Sequence, residues 1–426
     1  MTAEVAIMNE HVIVLAADSA TTVSMWIGGE RKTRYFRGAN KLFQLSRIQP
    51  VGLMIHGAAS LQGVPWELLI KDFRVTLDEK SFERLSEYPR ELFDFLAAHK
   101  QLFPDAEREV TFVANAIQAM LAAQRIVRES EKYKNAKNEE MSAVFSAGIT
   151  ELTEALKGKE ALKPVTTQDV DAAIVRYKDA VLAEIKNVWV PIVDEFAAIA
   201  DTLAELAIRE LMVHYDAYLA NTGIVIGGYG THDYYPSFEL HNCFGFLADK
   251  FIAVQERSKS IVRGSFGVIE GFAQDNMIDT FRFGIGFDAY AHVHRATKKA
   301  LTQVAEKTLK KYSPDTSIDE LKDLISEELS EGQADWYEKV REEHYAPLAR
   351  VISSLPVTDL AALAKSLVEL QSLKERVTRD SESVGGPIDV AVISKHDGFV
   401  WIERKHYFRP ELNPRFFSRI KSEKRQ

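Results

Sequence analysis

The N-terminal end of the chain shows the short apolar runs that are typical of β-strands. Residues 3–8 and 11–17 are rich in Val, Ile and Ala, and Asn9-Glu10 separates them where a hairpin turn would fall. The two runs therefore predict a β-hairpin at the start of the chain. Comparable runs predict strands at residues 41–46, 51–56, 222–229, 237–246, 261–270, 388–394 and 399–404.

Most of the remaining chain shows the spacing that is typical of helices. Apolar residues recur every three or four positions over 104–129, 167–188, 191–219, 273–283, 288–312, 317–353 and 357–377. Strands at both ends with helices between them predict an α+β fold with common sheets. We expect residues 1–426 to form a single domain, with residues 104–200 as a helical insertion within it.

Composition narrows the functional classes. The 426 residues are 46% hydrophobic and carry a formal net charge of -9. No basic excess is available to neutralise phosphates, which argues against nucleic-acid binding. Cys243 is the one cysteine, so an intrachain disulfide is excluded. The N-terminus does not resemble a signal peptide and no run predicts a membrane span, so we expect a cytoplasmic protein without a membrane partner.

Thr2 is the first candidate for chemistry. If Met1 is removed, Thr2 carries both a hydroxyl and a free α-amino group. An α-amine titrates near neutrality and can accept the hydroxyl proton, which would activate the oxygen as a nucleophile. The alternative is that Thr2 simply follows the start methionine.

Three further residues fall where they could support Thr2. A hairpin brings its far ends together, so Asp18 can lie beside Thr2. Lys41 opens the next strand, and a buried lysine beside a carboxylate can lower the pKa of a hydroxyl. Gly57 ends the following strand, and its N–H could stabilise an oxyanion. The alternatives are a surface ion pair for Asp18 and Lys41 and a plain turn for Gly57.

These segments, taken in order, resemble a known family. Thr2, AADSATT, KLFQL and GLMIHGAAS are similar to proteasome β subunits and to the bacterial HslV and Anbu peptidases. The resemblance implies a four-layer αββα N-terminal-nucleophile (Ntn) hydrolase sandwich. It also implies that Thr2 attacks the substrate, Lys41 tunes Thr2, Asp18 holds Lys41, and the Thr22 backbone pairs with substrate.

The C-terminal part carries a second stretch of resemblance. RDSESVGGPIDVAVI is similar to the family's Arg-Asp-x-x-Ser-Gly-Gly stretch, with Val384 as an extra residue before the glycines. The resemblance implies that Asp380 and Ser383 support the nucleophile. The family's Gly-Ser-Gly motif has no clear counterpart, because both candidate segments, EGFAQ and GIGFD, lack the serine.

The resulting expectation is a threonine peptidase that cleaves peptides or unfolded proteins, with no cofactor and no metal. We expect a homo-oligomer with contacts that include residues 104–200, and the sequence leaves an ATPase partner open. Two alternatives remain. One is a catalytically silent, proteasome-like subunit with a structural or interaction role. The other is an Ntn amidase acting on a small molecule.

Overall fold

The computed structural model describes residues 2–27, 30–312, 319–378 and 384–422. In these ranges the strands are β1 Ala3–Met8, β2 Val12–Ala17, β3 Ala20–Ile27, β4 Glu30–Arg37, β5 Leu42–Gln44, β6 Val51–Gly57, β7 Ser60–Leu61, β8 Val64–Pro65, β9 Thr222–Gly228, β10 Ser237–Leu247, β11 Lys250–Ser260, β12 Val268–Ala273, β13 Asp389–Ser394 and β14 Gly398–Glu403.

The helices surround these strands and fill the middle of the chain. They are α1 Trp66–Leu77, α2 Glu87–Ala98, α3 Asp105–Glu129, α4 Glu131–Lys134, α5 Met141–Lys157, α6 Thr167–Glu184, α7 Ala200–Val213, α8 Tyr215–Tyr218, α9 Asn276–Phe283, α10 Phe287–Tyr312, α11 Asp319–Val340, α12 Ala346–Ser354, α13 Val357–Thr378 and α14 Pro414–Ser422. Short π-helical and 3₁₀ segments occupy Ile185–Trp189, Arg341–Tyr345, Asp194–Ile199 and Pro410–Leu412.

Two antiparallel sheets, each with five strands among the described residues, form the centre of the fold. Sheet 1 has the order β12-β1-β2-β13-β14, and sheet 2 has the order β11-β10-β9-β6-β5. The predicted N-terminal hairpin, β1 with β2, lies at the middle of sheet 1. Strands from both ends of the chain therefore share one sheet, as the sequence predicts.

Alternation along β2 shows how the layers stack, because successive side chains of a strand point to opposite faces. Ile13 and Leu15 are fully buried in the apolar layer between the two sheets. Val12 and Val14 lie on the other face and pack against Leu360 of α13. Sheet 1 is thus covered by sheet 2 on one side and by a helix on the other.

Sheet 2 has a helical layer on its outer face as well. Ile224 and Ile226 of β9 lie in one core cluster with Trp66 and Phe73 of α1. The layers are therefore helix, sheet, sheet, helix. This confirms the predicted fold class, an α+β four-layer αββα sandwich with a large helical insertion.

The insertion is a bundle of long helices, α3, α5, α6 and α7, around one apolar core. Phe112 of α3 stacks on Tyr177 of α6 with 4.2 Å between ring centroids. Thr166 begins α6 with a capping box to Asp169. The bundle core continues to Val213. The division into one domain with an insertion at 104–200 stays a prediction.

The sequence predicts no run that is long and apolar enough for a membrane span, but helix α3 is such a run. Its 25 residues meet that length and composition. Ala116, Met120 and Ala123, however, are buried in the bundle core. Core helices of soluble proteins pass the same test, so α3 is weak evidence for a span.

Several elements differ from the sequence-based expectation. A strand was predicted at 261–270, but β11 ends at Ser260 and β12 begins at Val268. The hairpin of β3 and β4 was not predicted. Helix α5 lies within the predicted helical insertion, although the sequence-based expectation gives it no bounds of its own. Local apolar runs identify strands that are buried on both faces more readily than edge strands with one polar face.

Candidate active site

The open end of the β1–β2 hairpin brings Thr2 and Asp18 into one region. The Ala3 N–H donates to Asp18 Oδ1 at 3.1 Å, and the Asp18 N–H donates to the Ala3 carbonyl at 3.1 Å. The Thr2 carbonyl accepts the Gln274 N–H at 3.0 Å, and Thr2 is 5% exposed. The N-terminal end of β1 is therefore held between the C-terminal end of β2 and the residue that follows β12.

The Asp18 carboxylate connects four parts of the chain. Besides Ala3, its Oδ1 accepts Lys41 Nζ at 2.7 Å. Its Oδ2 accepts the backbone N–H groups of Ala20 at 3.1 Å and Gly385 at 2.8 Å. Asp18 is 1% exposed, so these four donors replace the water that burial removes. The carboxylate fixes the position of Lys41 relative to the start of β1.

Lys41 is a buried cation, 6% exposed. Burial lowers the pKa of its ammonium below the ordinary value of 10.5, and the Asp18 and Glu4 carboxylates oppose that shift. The neighbouring Lys405 adds to the lowering. The predicted Asp18–Lys41 pair is therefore present and buried, whereas the alternative of a surface pair does not fit.

Glu4 and His56 form a second polar pair beside Lys41. Glu4 is fully buried, and its Oε2 lies 3.1 Å from His56 Nδ1. Among the described residues, Glu4 Oε1 has no hydrogen-bond partner. Gly223 leaves room for the imidazole, because a Cβ at that position would lie 2.0 Å from His56 Nε2. This pair joins the start of β1 in sheet 1 to the end of β6 in sheet 2.

Gly57 follows His56 at the exposed end of β6. Its φ of +85° lies in the left-handed region, and a Cβ there would lie 2.6 Å from the Asn221 carbonyl oxygen. Only glycine fits such a position without displacing its neighbours. The glycine therefore has a structural reason at this turn, and its proximity to the Glu4–His56 pair places it on the same side as Thr2.

The remaining predicted site residues are Thr22, Asp380 and Ser383. Thr22 is exposed on β3, where it pairs with Tyr35 of β4. Asp380 and Ser383 lie outside the described residues. In the described part of this segment, Gly385 contacts Asp18 directly through its N–H.

Comparisons with known proteins do not assign the chain to a family. No family model matches the chain, and no curated protein matches it. Among solved structures, the chain is similar to an Anbu mutant from Hyphomicrobium sp. strain MC1. The two share 9% sequence identity at a TM-score of 0.25, over 99% of this chain and 96% of that one.

The family assignment made from the motifs is therefore wrong. Membership of the proteasome β-subunit and HslV-like family would be supported by a matching family model or by substantial identity, and neither is found. A TM-score of 0.25 is too low to carry an argument. The motifs were short strand ends and glycine turns, and local chemistry produces such stretches in unrelated sequences.

Sequence reasoning missed Glu4, His56, Ser19 and Gly385. A signal for Glu4 was present, because it is the one charged residue within the strand AEVAIM. Residues two positions apart on a strand share a face, so Glu4 lies on the same face of β1 as Ala6 and Met8. That face points into the inter-sheet core, so the pattern predicts a carboxylate that points inward. Ser19, whose hydroxyl donates to the Pro387 carbonyl, has no comparable signal.

The arrangement combines a hydroxyl, a buried ammonium and two buried carboxylates at one end of the sandwich. Asp18 holds both Lys41 and the N–H of Ala3, the residue next to Thr2. A cation held close to an attacking hydroxyl would stabilise the negative charge that develops on it. Among the described residues, no group of three or more His, Cys, Asp or Glu is arranged to hold a metal ion.

Proposed function

We propose that this protein is an N-terminal-threonine hydrolase that cleaves amide bonds in peptides, with Thr2 as the nucleophile after removal of Met1. The observation that supports it most is the buried hydrogen bond of 2.7 Å between Lys41 and Asp18. Asp18 also holds the Ala3 N–H, so one carboxylate fixes both the ammonium and the residue next to Thr2.

The first step needs a free α-amine on Thr2. Met1 removal converts the Thr2 nitrogen from an amide, which cannot accept a proton, to an amine, which can. The amine takes the Oγ proton, directly or through a water, as Oγ attacks the substrate carbonyl. The Lys41 ammonium stabilises the alkoxide character that develops on Oγ.

The second step passes through an ester. The tetrahedral intermediate collapses when the protonated α-amine donates its proton to the leaving amine, which leaves the acyl group on Thr2 Oγ. Water then attacks the ester carbonyl and the α-amine accepts a proton from that water. The second tetrahedral intermediate collapses as the bond to Thr2 Oγ breaks, Oγ takes the proton back from the α-ammonium, and the acid product is released. The Gly57 N–H is the proposed donor to the oxyanion in both halves.

A small-molecule amidase is the second candidate, and one observation favours it. The backbone at Thr2 is held on both sides, by Asp18 at the Ala3 N–H and by the Gln274 N–H at the Thr2 carbonyl, and a confined nucleophile suits a compact acyl donor better than a folded polypeptide. The same residues would perform the same acyl transfer. Hydrolysis that falls with increasing peptide length would favour this candidate over a peptidase.

Two measurements test the proposal together. Intact mass of the purified protein reports whether Met1 is absent, and a panel of fluorogenic peptides and simple amides reports turnover. We expect a mass lower by one methionine and hydrolysis of at least one amide class. A protein that retains Met1 and hydrolyses nothing would favour a structural role.

A further inference from the structure

A cavity of about 700 Å³ opens between α13 and the chain that leaves β14. Ser372 and Arg376 of α13 line one side, and Arg404, which follows β14, lies on the other. Pro387 is also part of the lining. This cavity, named here the α13–β14 groove, falls within the range of roughly 300–1,000 Å³ typical of small-molecule sites.

The carboxylates that line the groove already form ion pairs with a lysine. Glu403 and Glu369 lie 2.7 and 3.9 Å from Lys365 Nζ. Just outside the lining, the buried Asp389 accepts from both the backbone N–H and the side chain of Lys405. These pairs use the acidic groups of the lining, and no carboxylate of the described residues lies at ion-pair distance from the two arginines of the groove.

Arg376 and Arg404 are those two arginines. The Arg404 guanidinium lies 4.7 Å from the centre of the Trp401 ring, which orients it without neutralising it. Burial lowers the pKa of Arg404, and the carboxylates of Asp389 and Glu67 oppose that shift. Both arginines are exposed to solvent at the groove. Guanidinium groups bind carboxylates and phosphates strongly, often through two parallel hydrogen bonds.

Ser372 provides an independent observation. Ser372 lines the groove and is 5% exposed, and its hydroxyl has no hydrogen-bond partner among the described residues. An unsatisfied buried hydroxyl is costly, and native structures contain few of them. An acceptor oxygen of a bound molecule would satisfy this donor.

We propose that the α13–β14 groove binds a small molecule carrying a phosphate or carboxylate group, held by Arg376, Arg404 and the Ser372 hydroxyl. The two guanidinium groups supply the charge, and the hydroxyl supplies a directed donor. The ligand is an anion because the lining acids are paired and the unpaired groups are cationic.

The segment that contributes Pro387 to the groove also contacts the candidate active site. The Gly385 N–H donates to Asp18 Oδ2 at 2.8 Å, and the Ser19 hydroxyl donates to the Pro387 carbonyl. A ligand that contacts Pro387 can therefore also shift the position of Asp18. An effect on catalysis rests on the proposed function, whereas binding of the anion does not.

Isothermal titration calorimetry of the full chain at low salt tests the binding, with inorganic pyrophosphate and citrate as probes. We expect saturable binding of at least one probe at sub-millimolar concentration, weakened by added salt because the contact is ionic. Binding of pyrophosphate alone assigns a phosphate ligand, and binding of citrate alone assigns a carboxylate. Failure of both to bind at millimolar concentration would overturn the proposal.

Variants locate the site. Arg376→Gln and Arg404→Gln should each weaken binding about tenfold or more, since a charge-assisted hydrogen bond is lost. Ser372→Ala should weaken it several-fold without lowering the melting temperature of the free protein, because its hydroxyl has no partner to lose. Arg350→Gln, at an exposed position of α12, is the matched control. Equal affinity in all four variants would place the anion elsewhere and refute the proposal.

Discussion

Glu4 and His56 bridge the two sheets, with 3.1 Å between Glu4 Oε2 and His56 Nδ1. Glu4 is fully buried, so the imidazole replaces part of its lost hydration. The field of Glu4 also raises the pKa of Lys41 against the lowering caused by burial. This pair thus connects the stability of the sandwich to the protonation of the proposed catalytic lysine.

The pair can be tested by single and double replacement. His56→Leu should lower the free energy of unfolding by about 2 kcal/mol, because it leaves a buried carboxylate without a donor. Adding Glu4→Leu should recover much of this loss, since a buried pair replaced by apolar groups is often neutral. Urea unfolding of His56→Leu, Glu4→Leu, the double variant and the wild type measures the coupling. Strictly additive losses would show that the two side chains do not interact.

The lowered pKa of Lys41 can be measured directly. Because burial lowers its pKa below 10.5, the folded protein releases this proton at a lower pH than the unfolded chain does. The unfolded state then binds more protons between the lowered pKa and 10.5, so this residue makes stability rise with pH across that window. NMR titration of isotope-labelled lysines, with Lys41→Met to identify the resonance, reports the value.

The Glu4→Gln variant extends that measurement. Removing a negative charge near Lys41 should lower the Lys41 pKa further, and the alkaline limb of the pH–activity profile should move in the same direction. An unchanged lysine titration would mean that Glu4 is too well screened to act on Lys41.

Replacement of Lys41 distinguishes a catalytic from a structural cation. Lys41→Ala and Lys41→Arg should each lower kcat by at least about 100-fold, since the planar guanidinium cannot occupy the place of a compact ammonium. Lys71→Ala, at an exposed lysine of α1, is the control and should keep full activity. Near-full activity of the Arg variant would make Lys41 a structural charge.

Asp279 gives a pH prediction that is independent of catalysis. Burial, with Asp275 as a like charge, raises the pKa of Asp279 to about 6. Between 3.8 and about 6 the folded state holds the proton more tightly, so this residue makes stability fall as pH rises through that window. The free energy of unfolding of Asp279→Asn, measured relative to the wild type, should therefore be about 2 kcal/mol higher at pH 7 than at pH 4. Parallel melting curves at both pH values would refute this assignment.

The expected homo-oligomer also remains a proposal. Exposed apolar side chains on the insertion support it, including Val110 and Ile126 of α3 and Val175 of α6. Size-exclusion chromatography with light scattering should give a mass that is a multiple of 48.0 kDa. Val175→Glu should shift it downward if α6 contributes to the contact. A 48.0 kDa particle at micromolar concentration would refute the assembly.

The sequence predicts the sandwich well where strands are continuous and apolar, as in β1, β2 and β13. It also brings Asp18 to Thr2, because a hairpin fixes which ends meet. It could not predict that Glu4 reaches His56 across the sheets, since that contact depends on how two separate sheets stack. The β3–β4 hairpin was missed although Gly28-Gly29 separates two alternating runs, because its polar side resembles a loop.

The central claim is that Thr2 Oγ forms the acyl bond, and labelling with a peptide β-lactone tests it most directly. Wild type and Thr2→Ser should gain the acyl mass on the N-terminal residue left after Met1 removal, whereas Thr2→Ala should not and should hydrolyse no amide. Thr150→Ala, an exposed threonine of α5, should behave as wild type. Undiminished labelling or turnover by Thr2→Ala would contradict the account.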